Sequence, residues 1–141
     1  MVEIVYEPEL QPESEAAIGA ALIAFNIAQV PQFAAPRMIG LIIRHPHTAM
    51  VDGGLTARIS FNWMFVQMLI VPERLRGQGV GRQLKSRAED VARQQGCAGI
   101  WLDTFSFQAP GFYARLGYSV FGEIANYPPG ASRIFLHKHL S

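Results

Sequence analysis

A glycine-rich loop between an apolar segment and a charged segment is the feature that most restricts how this chain can fold. The stretch from Met68 to Glu89 begins with four apolar residues, passes through a short turn, and then carries three alternating glycines between residues 77 and 81. From Val80 onward, apolar residues recur at near-helical spacing with charged residues between them. This order predicts a strand, a loop, and a helix that begins at Val80 and ends near Gly96.

The loop has the chemistry of an anion site. Glycine lets the backbone pass close to a ligand. The first N–H groups of a helix have no acceptor within the helix, so these groups and the helix dipole favour a negative charge. Arg76 adds a guanidinium that pairs with two oxygens at once. We therefore expect a phosphate-bearing ligand on Arg76, Gly77, Gln78, Gly79, Val80 and Gly81. The alternative is a glycine turn that only starts the helix.

Two common phosphate motifs do not fit this loop. A Walker loop needs Lys and then Ser or Thr after its last glycine, but Arg82 and Gln83 follow Gly81. A dinucleotide fingerprint needs its third glycine one position later and an acidic residue about 20 residues further on, where this chain has Ala98-Gly99-Ile100. The pattern Arg76-x-x-Gly79-x-Gly81 instead resembles the pyrophosphate-binding motif of the GNAT superfamily of acetyl-CoA-dependent N-acetyltransferases.

A second segment is similar to the same family. Phe112-Tyr113-Ala114-Arg115-Leu116-Gly117-Tyr118 resembles its segment of Phe-Tyr, three residues, Gly and an aromatic residue. The resemblance implies that Tyr113 lies near the sulfur of CoA and protonates the leaving thiolate. A phenol near a thiolate can give or share a proton, so this role is chemically sound. The alternative is an aromatic helix residue that only packs on the sheet.

The resemblance also implies the remaining cofactor contacts. Backbone groups of Leu69, Ile70 and Val71 would pair with the pantetheine arm, because main-chain pairing along a strand suits a chain that carries amides. The loop from Arg76 to Gly81 would hold the pyrophosphate. Family members often have Asn seven residues before the tyrosine, and Ser106 occupies that position here with a shorter side chain. Lys85 is expected to be a solvated helix lysine.

No general base is evident. Many relatives place a glutamate on the strand equivalent to residues 63–71, where the only polar residue of this chain is Gln67. An amide cannot act as a base, but Gln67 can hold a water that relays the proton. Asp103, at a strand end, is a second candidate, and a helix-capping role is an equal alternative for it. We predict a water-relayed proton with no single essential base.

Composition limits the class of protein. The 141 residues suffice for one domain, predicted over 1–141, with a single substantial core. Half of the residues are hydrophobic, 16% are charged, and the net charge is +1, which favours neither nucleic acid nor membrane as a partner.

The only cysteine, Cys97, lies in an apolar setting and is expected to be a buried thiol. No signal peptide or membrane-spanning run is evident, so a cytoplasmic protein is expected.

The hydrophobic pattern predicts an α+β fold with a mixed, mostly antiparallel central sheet and helices on both faces, as the GNAT resemblance also implies. The run at 63–71 is almost wholly apolar, which predicts a central strand covered on both faces. A bulge is expected at Asp52-Gly53-Gly54. The predicted strands are 2–6, 37–44, 48–60, 63–71, 99–104, 118–125 and 132–139, and the predicted helices are 13–28, 80–96 and 109–116.

The predicted activity is transfer of an acetyl group from acetyl-CoA to a primary amine by direct attack in a ternary complex. The acceptor amine, on a small molecule or a peptide, is left open, as is a homodimer formed through edge strands. The alternative is a non-catalytic acyl-CoA-binding sensor or interaction module. No metal is expected, because the pairs His45/His47 and His137/His139 have no accompanying carboxylate or thiolate ligand.

Overall fold

The computed structural model describes residues 1–141, which form two compact units, Met1–Ala35 and Pro36–Ser141. The first unit contains one helix and the second contains the whole sheet. The prediction of a single domain over 1–141 stays a prediction.

The first unit is built around α1, Pro12–Gln29. Pro12 begins the helix, where its missing N–H costs no hydrogen bond, and Glu13 and Glu15 lie in the first turn, where the helix dipole favours acids. The predicted strand at 2–6 is wrong, because this segment pairs with no neighbouring strand. No residue of this unit is buried.

The second unit is a six-stranded sheet with the order β1-β2-β3-β4-β6-β5. Only β3 and β4 are parallel, and all other neighbouring strands are antiparallel. The predicted α+β class with a mixed, mostly antiparallel sheet is confirmed. The strands are β1 Arg37–Arg44, β2 Val51–Ser60, β3 Trp63–Ile70, β4 Gly99–Phe105, β5 Ser119–Ala125 and β6 Ser132–His139.

Two helices of this unit pack on one face of the sheet. The helix α2, Val80–Gln94, buries Leu84, Ala88 and Ala92 against the sheet, because these residues recur at helical spacing. The short helix α3, Pro110–Arg115, contributes Tyr113 to the same core. The core side chains of the sheet are Leu55, Ala57, Ile59, Met64, Val66, Ile100, Leu102 and Leu136. No helix of the chain combines the length and the apolar character needed to cross a bilayer.

The strand β3 is buried on one face only. Met64 and Val66 are buried under the helices, whereas Trp63 and Phe65, which point to the other face, are half-buried. The prediction that both faces of this strand are covered is therefore wrong within Pro36–Ser141. An apolar run cannot distinguish a strand covered within its own unit from one whose second face remains open.

The parallel pair opens at its carboxyl end. The register between β3 and β4 ends at Val66 opposite Leu102, although both strands continue for several residues. A register shift opposite Thr56 and Ala57 leaves Gln67 as the extra residue of β3, and such a bulge bends the strand that carries it. The two strands thus separate, and the gap between them is where a ligand can enter the sheet.

Candidate active site

The gap between β3 and β4 forms a cleft of about 880 Å³. This volume lies in the range of pockets that enclose small ligands and cofactors. The cleft brings together most of the predicted site residues, namely Gln67, Leu69, Ile70, Val71, Arg76, Gly81 and Tyr113. It also contains Asp103, the second candidate base, and Phe112 of the Phe-Tyr segment, together with side chains that no motif indicated, namely Met68, Thr104, Phe105, Phe107 and Gln108.

A smaller hollow of about 210 Å³ adjoins the cleft at the start of α2. Gly77, Gly79, Val80 and Gly81 line it, and the two cavities share Val71, Arg76, Gly81 and Phe112. Gly77 and Gly79 have φ values of 75° and 77°, in the left-handed region that favours glycine. A Cβ at either position would meet no atom within 4 Å, so the backbone conformation, and not crowding, requires glycine there.

The hollow is lined with free hydrogen-bond donors. The first helical hydrogen bond is donated by Gln83 N–H to the Gly79 carbonyl, at 3.0 Å, so the N–H groups of Val80 to Arg82 have no acceptor in the chain. The Nε of Arg76 donates to the Val71 carbonyl at 3.1 Å, which holds this side chain at the end of β3. Backbone N–H groups beside a guanidinium at a helix N-terminus fit a phosphate or pyrophosphate group.

Gln78 belongs to the same loop but turns away from the hollow. Its side-chain nitrogen donates to the Arg74 carbonyl at 3.2 Å, and the residue lines neither cavity. Arg74 is itself paired with Asp52, at 3.0 Å, which ties the turn before the loop to β2. Gln78 thus shapes the loop through its side chain.

Tyr113 reaches the cleft from α3. Its ring packs edge-on against Phe112 and Tyr118, at centroid distances of 5.0 and 6.1 Å. Burial, and then the nearby charge of Asp103, raise the pKa of the Tyr113 hydroxyl, because both disfavour the phenolate. The phenol therefore remains protonated at neutral pH and is suited to donate a proton.

The two polar residues considered for proton transfer, Gln67 and Asp103, both line the cleft. Gln67 sits at the bulge of β3 with its side chain exposed. Asp103 is paired with Arg133, whose nitrogens lie 2.9 and 3.0 Å from one carboxylate oxygen, and Arg133 also donates to the Tyr127 hydroxyl at 3.1 Å. Asp103 caps no helix, since α3 has no side-chain cap. Of the two roles considered for Asp103, capping is therefore wrong.

Ser106 lies outside the cleft and pairs with β6. Its N–H donates to the Ser132 carbonyl at 2.9 Å, and its hydroxyl accepts from the Ser132 N–H at 3.0 Å. Gln108, which sequence reasoning missed, accepts from the Phe105 N–H at 2.8 Å and from the Thr104 hydroxyl at 3.0 Å. These bonds shape the loop that follows β4. No motif marks such a contact in the sequence.

Lys85 departs most from its expected setting. The side chain is fully buried, with Nζ 4.4 Å from the centre of the Tyr118 ring and without a hydrogen-bond partner, so a solvated lysine is wrong. Burial, with the charge of Lys138, lowers its pKa to about 7. Glu89 opposes this shift and binds Tyr118 and Lys138 at 3.0 and 2.9 Å. Lys85 shares the helical stripe of Ala88 and Ala92, and that spacing was the available signal.

Cys97 is buried, and burial raises the pKa of its thiol, as expected of a thiol in an apolar setting.

The paired histidines have ring centroids 5.6 Å apart for His45 and His47, and 5.4 Å apart for His137 and His139. No group of three or more His, Cys, Asp or Glu side chains is placed to hold a metal ion.

The sequence matches known acetyltransferases. Residues 18–118 match the profile of the acetyltransferase (GNAT) family. An acetyltransferase of Agrobacterium fabrum is 36% identical over 126 residues, covering 89% of this chain and 90% of the relative. A blasticidin-S acetyltransferase of Streptomyces morookaense is 44% identical over 89 residues, covering 62% of this chain and 65% of the relative.

Solved structures have the same fold. The crystal structure of an acetyltransferase from Bacillus cereus superposes with a TM-score of 0.79 at 29% identity, covering 96% of this chain and 98% of that chain. A streptothricin acetyltransferase structure from Bacillus anthracis, in complex with acetyl coenzyme A, superposes with a TM-score of 0.62 at 21% identity. That comparison covers 74% of this chain and 63% of the other.

Proposed function

Because this chain belongs to the acetyltransferase (GNAT) family, we propose that it transfers an acetyl group from acetyl-CoA to a primary amine. The observation that carries the proposal is a single continuous site. A cleft containing a protonated tyrosine opens directly into a hollow lined by free amide donors. The hollow suits the pyrophosphate and the cleft suits the acyl-bearing arm of the same molecule.

Different residues of the chain bind the cofactor and donate the proton. Arg76 and the N–H groups from Gly77 to Gly81 bind the pyrophosphate, and the exposed backbone of Leu69 to Val71 pairs with the pantetheine amides. Bound acetyl-CoA supplies a thioester whose carbonyl carbon takes the amine nitrogen and whose thiol is the leaving group. Tyr113 donates a proton toward the departing sulfur. Ser106 keeps only an indirect role, because its hydroxyl is engaged with Ser132.

Deprotonation of the amine needs no acidic residue on β3. A free alkylamine has a pKa near about 10.4, so it must lose a proton before it attacks. Gln67 lies exposed at the bulge of β3, where its amide holds a water that passes this proton to solvent. Attack is direct, because Cys97 is buried away from the cleft and no other residue there suits an acyl-carrying role.

The acceptor is a primary amine on a small molecule or a peptide. The match to a blasticidin-S acetyltransferase supports a small molecule. The cleft agrees with a compact, partly apolar acceptor, since the exposed side chains of Met68 and Phe107 line it.

Calorimetric titration with CoA and acetyl-CoA tests the site. We expect micromolar binding by the wild type and loss of binding in Gly79→Glu, which places a carboxylate in the hollow. Gly96→Glu is the matched control, because Gly96 has the same φ of 77°, has no atom within 4 Å of its Cβ, and lies at the other end of α2. Equal loss in both variants, or no binding by the wild type, would overturn the assignment of the hollow.

Release of free CoA thiol with a panel of amines tests turnover. Thiol release that depends on both acetyl-CoA and an amine supports the transferase. Cofactor binding without thiol release across a wide panel of amines would instead support a non-catalytic acyl-CoA-binding module. The presence of the Gln67 amide, where many relatives have a carboxylate, favours this alternative.

A further inference from the structure

Phe107 is an exposed aromatic residue at the tip of an ordered turn. The residue is 66% exposed and lines the cleft, in the segment that follows β4. Hydrogen bonds hold the chain on both sides of it. Ser106 is bonded to Ser132 through its N–H and its hydroxyl. The Gln108 N–H donates to the Phe105 carbonyl at 2.9 Å. An apolar ring that an ordered turn keeps exposed inside a cleft is typical of a position that contacts a ligand.

The ring of Phe107 belongs to a stack of aromatic rings. It is parallel to the ring of Phe105, with an angle of 7° between the planes and 5.3 Å between the centroids. Phe105 has a second ring neighbour in Tyr127, at 5.7 Å. The guanidinium carbon of Arg133 lies 5.8 and 5.4 Å from the centres of the Phe105 and Tyr127 rings. Phe105 is thus held in place by its neighbours, and the flat ring of a ligand can extend the stack at Phe107.

The stack lies near the proposed proton donor. Asp103 precedes Phe105 by two residues on β4, so the two side chains share one face of the strand. Asp103 is close enough to Tyr113 for its charge to raise the pKa of that phenol. The backbone proposed to bind the cofactor belongs to β3, across the same cleft. This arrangement leaves the β4 side of the cleft, with its aromatic rings, to the acceptor.

The stack does not suit the adenine ring of the cofactor. In CoA the pyrophosphate separates the adenosine from the arm that carries the thioester. The pyrophosphate is assigned to the hollow at the start of α2, so the adenine lies beyond that hollow and not in the cleft. Neither Phe105 nor Phe107 lines the hollow. A ring that stacks on Phe107 therefore belongs to the acceptor.

We propose that the acceptor is a primary amine carried on a planar aromatic or heteroaromatic ring, which stacks on Phe107 while the amine reaches the thioester. The inference rests on the proposed acetyl transfer and names the substrate class of the same site. The amine nitrogen bonds to the acetyl carbon, and the carbon–sulfur bond breaks. Of the two protons that the ammonium group loses, one is balanced by the proton gained by the thiol of CoA and the other goes to solvent.

Benzylamine and cyclohexylmethylamine, which carry an aromatic and a saturated ring on the same short arm, test the proposal with acetyl-CoA. We expect kcat/KM to be about 3-fold or more higher for the aromatic amine, because stacking adds to the burial of apolar area. Phe107→Leu keeps an apolar side chain but removes the ring, so it should lower this preference by about 3-fold or more. Comparison of the ratio between wild type and variant cancels the difference in basicity between the amines. Phe121→Leu, a matched control on β5 outside the cleft, should keep the wild-type ratio.

Calorimetric binding of the two amines to the CoA-bound protein needs no turnover, so it distinguishes failure of this inference from failure of the proposed transfer. The aromatic amine should bind about 3-fold or more tighter, and Phe107→Leu should remove this difference without changing the affinity for CoA. Equal affinity for the two amines, or no binding of either, would overturn the aromatic class of acceptor while leaving acetyl transfer in place. A preference that persists in Phe107→Leu would overturn the assignment of the ring contact to Phe107.

Discussion

At the scale of single residues, the cleft contains a hydroxyl that keeps its proton. Burial and the Asp103 carboxylate both raise the pKa of Tyr113, so the phenol remains a proton donor throughout the neutral range. The neighbouring Tyr118 has the same chemistry but a different position, since its hydroxyl donates to Glu89 inside the core. Position in the cleft, rather than residue type, distinguishes the two tyrosines.

Tyr113→Phe should lower kcat by about 100-fold or more while leaving acetyl-CoA affinity nearly unchanged, because it removes only the proton donor. Steady-state kinetics and calorimetry measure the two quantities. Tyr118→Phe, which removes a hydroxyl outside the cleft, should keep most of the activity. A Tyr113→Phe enzyme with wild-type kcat would exclude this tyrosine as the acid.

Lys85→Met should stabilise the protein and flatten its pH dependence. The pKa of Lys85 is about 7 in the folded chain and 10.5 as the ordinary value. Between these values the unfolded chain holds a proton that the folded chain lacks, so the unfolding free energy rises with pH. The slope approaches about 1.4 kcal/mol per pH unit within that window. Below pH 7 both the folded and the unfolded chain hold this proton, so Lys85 lowers the unfolding free energy by its full amount.

Denaturant unfolding at several pH values measures this effect. Near pH 7, Lys85→Met should raise the unfolding free energy by about 1–3 kcal/mol, because methionine has no charge to desolvate. Arg87→Met, at an exposed position of the same helix, should leave the pH profile unchanged. Parallel profiles for the wild type and Lys85→Met would show that Lys85 does not titrate in this window.

At the scale of elements, the first residues of β2 pair with both neighbouring strands, β1 and β3. Asp52 is the extra residue of β2 beside β1, so the predicted bulge is confirmed. Gly54 has a φ of 135°, and a Cβ there would lie 2.2 Å from the Leu41 carbonyl oxygen. Gly54 also pairs with Ile70, at the end of β3 that forms the cleft. The glycine thus supports the strand whose backbone is proposed to bind the cofactor.

Gly54→Ala should destabilise the fold by about 3 kcal/mol or more, because both the backbone conformation and the carbonyl contact oppose a side chain. Gly40→Ala is the matched control on β1, where a Cβ would meet only the flexible end of Ile42 at 3.2 Å. Thermal or urea unfolding compares the two. Equal stability of both variants would mean that β1 and β2 accommodate a side chain at position 54 without loss of unfolding free energy.

At the scale of the whole molecule, binding of CoA to the proposed site should link stability to cofactor concentration. A ligand that binds only the folded chain should raise the unfolding free energy by about 2.7 kcal/mol at a concentration roughly 100 times its dissociation constant. Differential scanning calorimetry over a CoA concentration series measures this stabilisation. Gly79→Glu should remove the dependence, whereas Gly96→Glu should keep it.

The sequence determined the local structure and the phosphate-binding hypothesis. Hydrophobic spacing and turn residues are local properties, so most strands of the sheet and all three helices lie within a few residues of their predicted bounds. The Arg76-to-Gly81 loop and Tyr113 could be recognised because short motifs carry their chemistry within themselves. The family followed from the same motifs.

Only the tertiary structure decided which surfaces each element meets. The segment at 2–6 has strand-like alternation but no neighbouring strand, and hydrogen-bond partners are not encoded locally. Lys85 lies in the core and Asp103 pairs with Arg133 because distant segments converge on them. The half-buried second face of β3 follows from the same cause, since an apolar run shows that a side chain needs cover but not which segment supplies it.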